Sequence, residues 1–252
     1  MNLLLPDNIF SRLIYNQLGD ELKNKVQFHP SSVIASKLKE TVDDIGLIST
    51  ADIIQHKDLF ISSKHGISFE GEVSNSFLYF AKEDKELNEI YLNGDISSLE
   101  VIFSKIYFKE VHDIDVQIHL ASDISLVHKK NIIVVGDKNY EQGLFSNGLS
   151  FSGEIIDMIA LPYVNFVFAS NSQDSLEDLN KVLEGLEEKI YNSIENNEYK
   201  IKFSGESNNF IKDNFQSVIF DFNEQDVEGI NQLTRLPYYY GITPDIIDIK
   251  FV

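Results

Sequence analysis

Four places in the 252-residue chain put hydrogen-bonding side chains where the local pattern predicts the end of a strand or the start of a helix. Asn8 follows the apolar run Asn2–Leu5 and a Pro6-Asp7 turn, and it precedes Ile9, Leu13, Ile14 and Leu18 at helical spacing. It reads as an N-cap, or as a polar group directed at a ligand lying across the strand ends. Asn75 and Ser76 sit in GEVSNSFLYFA (Gly71–Ala81), whose second half, Phe77–Phe80, is apolar enough for full burial. Ser97 and Ser98 close a loop, Asn93-Gly94-Asp95-Ile96, ahead of an apolar helix predicted over Leu99–Phe108. Free backbone N–H groups and the positive helix end there suit a carboxylate, and plain capping accounts for the same residues. Asp137 ends the strand Ile132–Val135 after Gly136, as a cap or as a cleft-lining acid.

This is a chemistry of amides, hydroxyls and helix termini, able to anchor a small anion with few cations. Arg12 and Arg235 are the only arginines, so a many-armed phosphate clamp is not expected. The histidines at 29, 56, 65, 112, 119 and 128 show no helical metal-ligand spacing, and neither a metal nor another cofactor is expected.

These residues need a scaffold with a cleft. Strand, helix, strand recur through Val26–Phe28, a helix opened by Pro30-Ser31-Ser32 with Val33, Ile34, Leu38 and Val42 as its stripe, and Ile45–Ile48, which implies parallel α/β crossovers. Further strands are expected at Phe60–Ile61, Glu89–Leu92, Val116–Leu120 and Val218–Phe222. Helices are expected at Ala51–Gln55, at Ser175–Ile194 with Ser175 as its cap, and at Glu224–Leu233, with Pro237 to kink or interrupt the last of these. Ile246–Phe251 reads as a terminal strand or an extended tail. Two aromatic, β-branched runs, Gly71–Ala81 and Leu161–Ser170 (LPYVNFVFAS, with one polar residue inside), look like crossings between two lobes. The fold class is therefore α/β, two-lobed with mixed sheets and a central cleft. Residues 1–74 and 170–252 are expected to form one discontinuous lobe, and 75–169 the other.

Composition bounds the partners. At 43% hydrophobic residues the chain can bury a sizeable core, and no apolar run is long enough to span a bilayer. The opening MNLLLPDNIF has no basic segment followed by a long apolar one, which predicts a cytoplasmic protein. A formal charge of −19 disfavours nucleic acid and anionic membranes at long range. There are no cysteines, and no GxGxxG, GxSxG, Walker or HExxH motif is present.

Several segments, in order, resemble the MqnA-type chorismate dehydratase family of menaquinone biosynthesis. PSSVIASKLKETVDDIGLIS resembles that family's PS-x-LA-x-x-L helix running into a D-x-GL strand, and GEVSNSFLYF its G-x-V-x-S-V-LLFS crossing, with Ser76 on the serine. GDISSLEVIF resembles its hydroxyl-rich loop and helix, with Ser97 and Ser98 nearest a Thr-Ser pair. VVGD and ALPYVNFVFA resemble its L-I-GD strand and return crossing. The closing Tyr-Gly-Ile-x-Pro also fits. The family's opening S-Y-L-N-x-x-P reads here Leu5-Pro6-Asp7-Asn8, keeping an Asn alone, and no Trp is present.

The resemblance implies a type II periplasmic-binding-protein fold and a lyase converting chorismate to 3-enolpyruvylbenzoate and water. It gives Asn8 the catalytic contact near the reacting ring, Ser97 and Ser98 one carboxylate, and Asn75 and Ser76 a second polar anchor, with Asp137 at the substrate as a strand-end candidate for the base. Arg12 neutralises a carboxylate if its helix turns it inward, or stands exposed. The altered first motif and shortened serine loop motivate the alternative, a non-catalytic binder of a small carboxylate metabolite. The expected partners are thus a small-molecule carboxylate and, in assembly, a second copy of the chain as a homodimer.

Overall fold

The computed structural model describes residues 1–81, 87–196, 198 and 203–252. The chain opens with β1 (Leu3–Pro6), α1 (Ile9–Gln17), a short α2 (Asp20–Lys23), β2 (Val26–His29), α3 (Ser31–Leu38) and β3 (Ile45–Ser49). Both β2 and β3 pair with β1 in parallel, as the alternating pattern requires. Asn8 starts α1 by accepting a hydrogen bond from Ser11 N–H at 2.9 Å, while Ile9, Phe10, Leu13 and Ile14 bury its apolar face. α3 ends at Leu38, so Val42, expected on its stripe, is exposed.

A 3₁₀ turn (Thr50–Ile54) leads to β4 (Phe60–Phe69), far longer than the Phe60–Ile61 expected. Its run Ser62-Ser63-Lys64-His65 hides the strand from an apolar pattern, because these side chains meet partners rather than a plain core. The Ser62 hydroxyl donates to Asn180 Oδ1 at 2.7 Å, and His65 lies between Asp221 and the Asn180 carbonyl. The chain then enters β5 (Ser76–Tyr79), β6 (Glu89–Gly94), α4 (Ser98–His112), β7 (Gln117–Leu120), β8 (Ile132–Val135), the one-turn α5 (Lys138–Glu141), β9 (Leu149–Ser150) and α6 (Phe151–Ile159). It closes with β10 (Tyr163–Ser170), α7 (Gln173–Val182), α8 (Leu186–Glu195), α9 (Gly205–Asn214), β11 (Val218–Asp221), α10 (Glu224–Tyr239) and β12 (Lys250–Phe251).

The strands form two mixed sheets. The larger runs β11-β4-β10-β3-β1-β2, with β12 added to β4, and the smaller runs β7-β6-β8-β5-β9. β10 is buried along its whole length and pairs antiparallel with both β3 and β4. The segment expected to straddle the return passage therefore lies entirely in the larger sheet, and the chain leaves the smaller one by α6. Burying each Phe or Val of this strand contributes about 1.5–3 kcal/mol, which holds β10 at the centre.

Two helix expectations are corrected. The predicted Ser175–Ile194 helix is two helices, because Gly185 takes the left-handed conformation (φ 67°) between α7 and α8, and Ser172 rather than Ser175 caps the first of them. Pro237 lies inside α10 rather than ending it. α9, whose stripe is only Ile211 and its neighbours, was not legible in the sequence.

Candidate functional site

The two sheets meet at the ends of their strands. In the larger sheet β1 and β3 end, and antiparallel β10 begins, on one side, with Phe166 opposite Ser49. In the smaller sheet β6 and β8 end, and β5 begins, on one side, with Gly94 opposite Val135 and Val135 opposite Ser76. Hydrogen bonds join these edges: Ile9 N–H to Asp137 Oδ1 at 2.9 Å, Ser31 N–H to Asp95 Oδ1 at 2.9 Å, and the Ser31 hydroxyl to Asp95 Oδ2 at 2.5 Å. On the opposite flank Ser97 Oγ lies 3.0 Å from Ser49 Oγ, and the Ser98 hydroxyl donates to Asp52 Oδ1 at 2.5 Å. The carboxyl ends of the parallel strands thus face one another across a seam, where open α/β sheets place ligands.

Each predicted residue has a definite place on this seam. Asn8 is buried; its Oδ1 caps α1 and its Nδ2 finds no partner among the described residues. Asn75 and Ser76 are buried where the chain enters the smaller sheet, and Asn75 Oδ1 and Ser76 Oγ are likewise unpartnered among the described residues. Ser97 forms a capping box with Glu100, its hydroxyl donating to Glu100 Oε2 at 2.6 Å while Glu100 Oε2 accepts Ser97 N–H at 2.9 Å. Ser98 is held by Asp52. Asp137 makes no side-chain cap to its own short helix but bonds the N-terminus of α1. The structure therefore brings Asn8, Asn75, Ser76 and Ser97 to the seam and engages the hydroxyls of Ser97 and Ser98 and one Asp137 oxygen with groups of the chain itself. Arg12 is half-exposed, 2.5 Å from Asp7 and over the ring of Phe28.

Sequence reasoning missed Asp52, Asn93, Asp95, Glu100, Tyr163 and Asn165. Ser97-x-x-Glu100 is a capping-box spacing and was readable as such. Asn165 was visible as the one polar residue of its strand, and it forms the bulge where β10 shifts register against β4, both ends of its amide unpartnered among the described residues. The others needed the partner strand to be known.

The electrostatics of the seam are acidic. Burial raises Asp52 to about 6 against the opposing hydrogen bonds from Ser98 and Ser49. Burial likewise raises Asp137 to about 6, helped by Glu141 and Asp7 and opposed by the Ile9 N–H and Arg12. Asp95 is raised by burial and by Asp7, and Glu100, fully buried, by burial and by Asp95. The Tyr163 hydroxyl is pushed up by burial and by Glu100, so it stays a neutral donor. Beside the seam lies an open groove of about 990 Å³, lined by the ends of β6 and β8 and by the turns before α1 and α3. Among the described residues, no group of three or more His, Cys, Asp or Glu is placed to hold a metal ion.

No family model and no curated protein matches the chain. Solved structures do. The fold is that of the type II periplasmic binding proteins. Protein AF1704 from Archaeoglobus fulgidus superposes with a TM-score of 0.61 at 11% identity, over 96% of this chain and 98% of that one. The ligand-binding component of an ABC-type import system from Staphylococcus aureus gives 0.59 at 9% identity, over 100% and 95%. The periplasmic aliphatic sulphonate binding protein SsuA from Escherichia coli gives 0.56 at 10% identity, over 99% and 90%. Identities this low carry the architecture and nothing finer. No helix among the described residues is long and apolar enough to cross a membrane.

Proposed function

We propose that this chain is a small-molecule-binding protein that receives its ligand where the strand ends of the two sheets face one another, and performs no chemistry on it. One observation carries the reading: the elements that meet there, from both sheets, carry buried polar atoms of Asn8, Asn75, Ser76, Glu100, Tyr163 and Asn165 that have no partners among the described residues. Each such atom costs about 1–3 kcal/mol when left unsatisfied, so a fold that keeps several of them in one seam has a use for them. The fold shared with solute-binding proteins supports the same reading.

The lyase that the MqnA-type resemblance implies needs groups free to anchor two carboxylates. Ser97, Ser98 and Asp137, the residues it would use, are turned toward the chain's own acids and helix ends. Asn8 keeps a free Nδ2, with no base in hydrogen-bond reach of it among the described residues. Binding without turnover is therefore the better match to the geometry.

The test is a thermal-melt screen of the purified protein against amino acids, amines, sugars and dicarboxylates, run beside incubation with chorismate followed by ultraviolet absorbance. A ligand at a hundred times its Kd adds about 2.7 kcal/mol, which raises Tm by roughly 5–10 °C in a chain of this size. Such a shift with no aromatic product is the expected result. Formation of 3-enolpyruvylbenzoate from chorismate would overturn it in favour of the lyase.

A further inference from the structure

The geometry points to a cationic ligand, a small molecule carrying a primary or secondary ammonium, held in the groove beside the seam by Asn93, Asp95, Asp137 and Glu141; this rests on the binding reading above and names its ligand class. Three observations carry it. The first is Asn93, 1% exposed and lining the groove. Its Nδ2 donates to the Ala121 carbonyl at 2.7 Å, which fixes the orientation of the amide and leaves Oδ1 as an acceptor with no partner among the described residues. A buried acceptor of this kind calls for a donor from the ligand.

The second is charge. The groove wall carries Asp7, Asp95, Asp137 and Glu141 against Arg12 and Lys138, and Arg12 is already paired with Asp7. An anion entering would meet an uncompensated acidic wall, whereas an ammonium would find carboxylate oxygens to pair with. A chain at −19 also repels anions and gathers cations before contact.

The third is that anion sites of this scaffold are already filled from within. Asp137 sits on the N-terminus of α1, Asp95 on that of α3 and Glu100 on that of α4, each carboxylate taking the backbone N–H groups that an anionic ligand would use. A carboxylate ligand, expected from the sequence, would have to displace one of them.

Isothermal titration calorimetry of the full chain against three probes of like length separates the outcomes: 1,4-diaminobutane, 1,4-butanediol and succinate. The diamine is expected to bind with one-to-one stoichiometry at low salt and the other two at least tenfold more weakly. Asn93→Ala should weaken the diamine about tenfold and Glu141→Gln, at an exposed position that leaves the fold untouched, about threefold. Succinate binding without the diamine would overturn the cation and leave the binding reading standing. Diamine binding of high stoichiometry, or unmoved by both substitutions, would mean surface association and also overturn the proposal. If none of the probes binds, the cation proposal falls, and if the broader melt screen is also silent the binding reading falls with it.

Discussion

Replacing Asp137 by Asn should stabilise the protein at neutral pH. The Asn side chain keeps an oxygen for Ile9 N–H, now 2.9 Å from Oδ1, and removes a charge that burial, Glu141 and Asp7 all disfavour. A carboxyl raised from its ordinary value near 4 to about 6 carries roughly 3 kcal/mol of penalty when ionised in the fold. Solvent at the groove screens part of that, and the α1 dipole returns about 0.5 kcal/mol to a carboxylate at its N-terminus, so a net gain of about 1–2 kcal/mol remains for the variant. The sign with pH comes from the folded value lying above the unfolded one. The penalty is complete above about pH 6, falls as the native state takes up the proton between about 6 and 4, and is gone below about 4. Urea unfolding of both proteins at pH 7.5, 5 and 4 therefore should show an advantage for Asp137→Asn that halves by pH 5 and nearly vanishes by pH 4. A variant less stable than the wild type at pH 7.5 would refute this reasoning, because it would mean that the carboxylate's bond to the helix end outweighs its burial.

Substitutions at three further positions probe what holds the seam. Gly94 has φ +107°, and a Cβ there would lie 1.9 Å from the Val135 carbonyl oxygen, so Gly94→Ala should lower the unfolding free energy by about 2–4 kcal/mol; a loss below about 1 kcal/mol would show that the turn before Asp95 can rearrange. Tyr140, fully buried, donates to the Ser74 carbonyl at 2.6 Å and accepts Ser74 N–H at 3.2 Å, so Tyr140→Phe should cost about 1–3 kcal/mol and speed hydrogen exchange at the Ser74 amide, and unchanged exchange would remove it as the anchor of this passage. Ser97→Ala breaks the capping box of α4 and should cost about 1 kcal/mol of unfolding free energy in urea, with Ser97→Asp restoring less than a normal cap because Glu100 is beside it; full rescue by Asp would contradict the acidity of the seam.

What the sequence determined by itself is local. Apolar spacing and cap residues located β1, α1, β3, α4 and β8, and the order of strands and helices was enough for a two-sheet α/β scaffold. Asn8, Asn75, Ser76, Ser97 and Asp137 were recognisable as strand-end and helix-start polar residues, because capping and exit from a strand are decided within a few residues. Local signals conflict with packing in two places: the serine and histidine run hides most of β4, and one continuous apolar stripe conceals the break at Gly185. Only the tertiary structure decided what those polar groups face. Asp95 and Ser31 are 64 residues apart, and Asp137 and Ile9 128 apart, so no local pattern encodes that acids of one sheet close the helix ends of the other. The charge of the seam arises from that pairing: the serines and helix termini that, read alone, suit an anion stand in the fold beside Asp52, Asp95, Asp137 and Glu100.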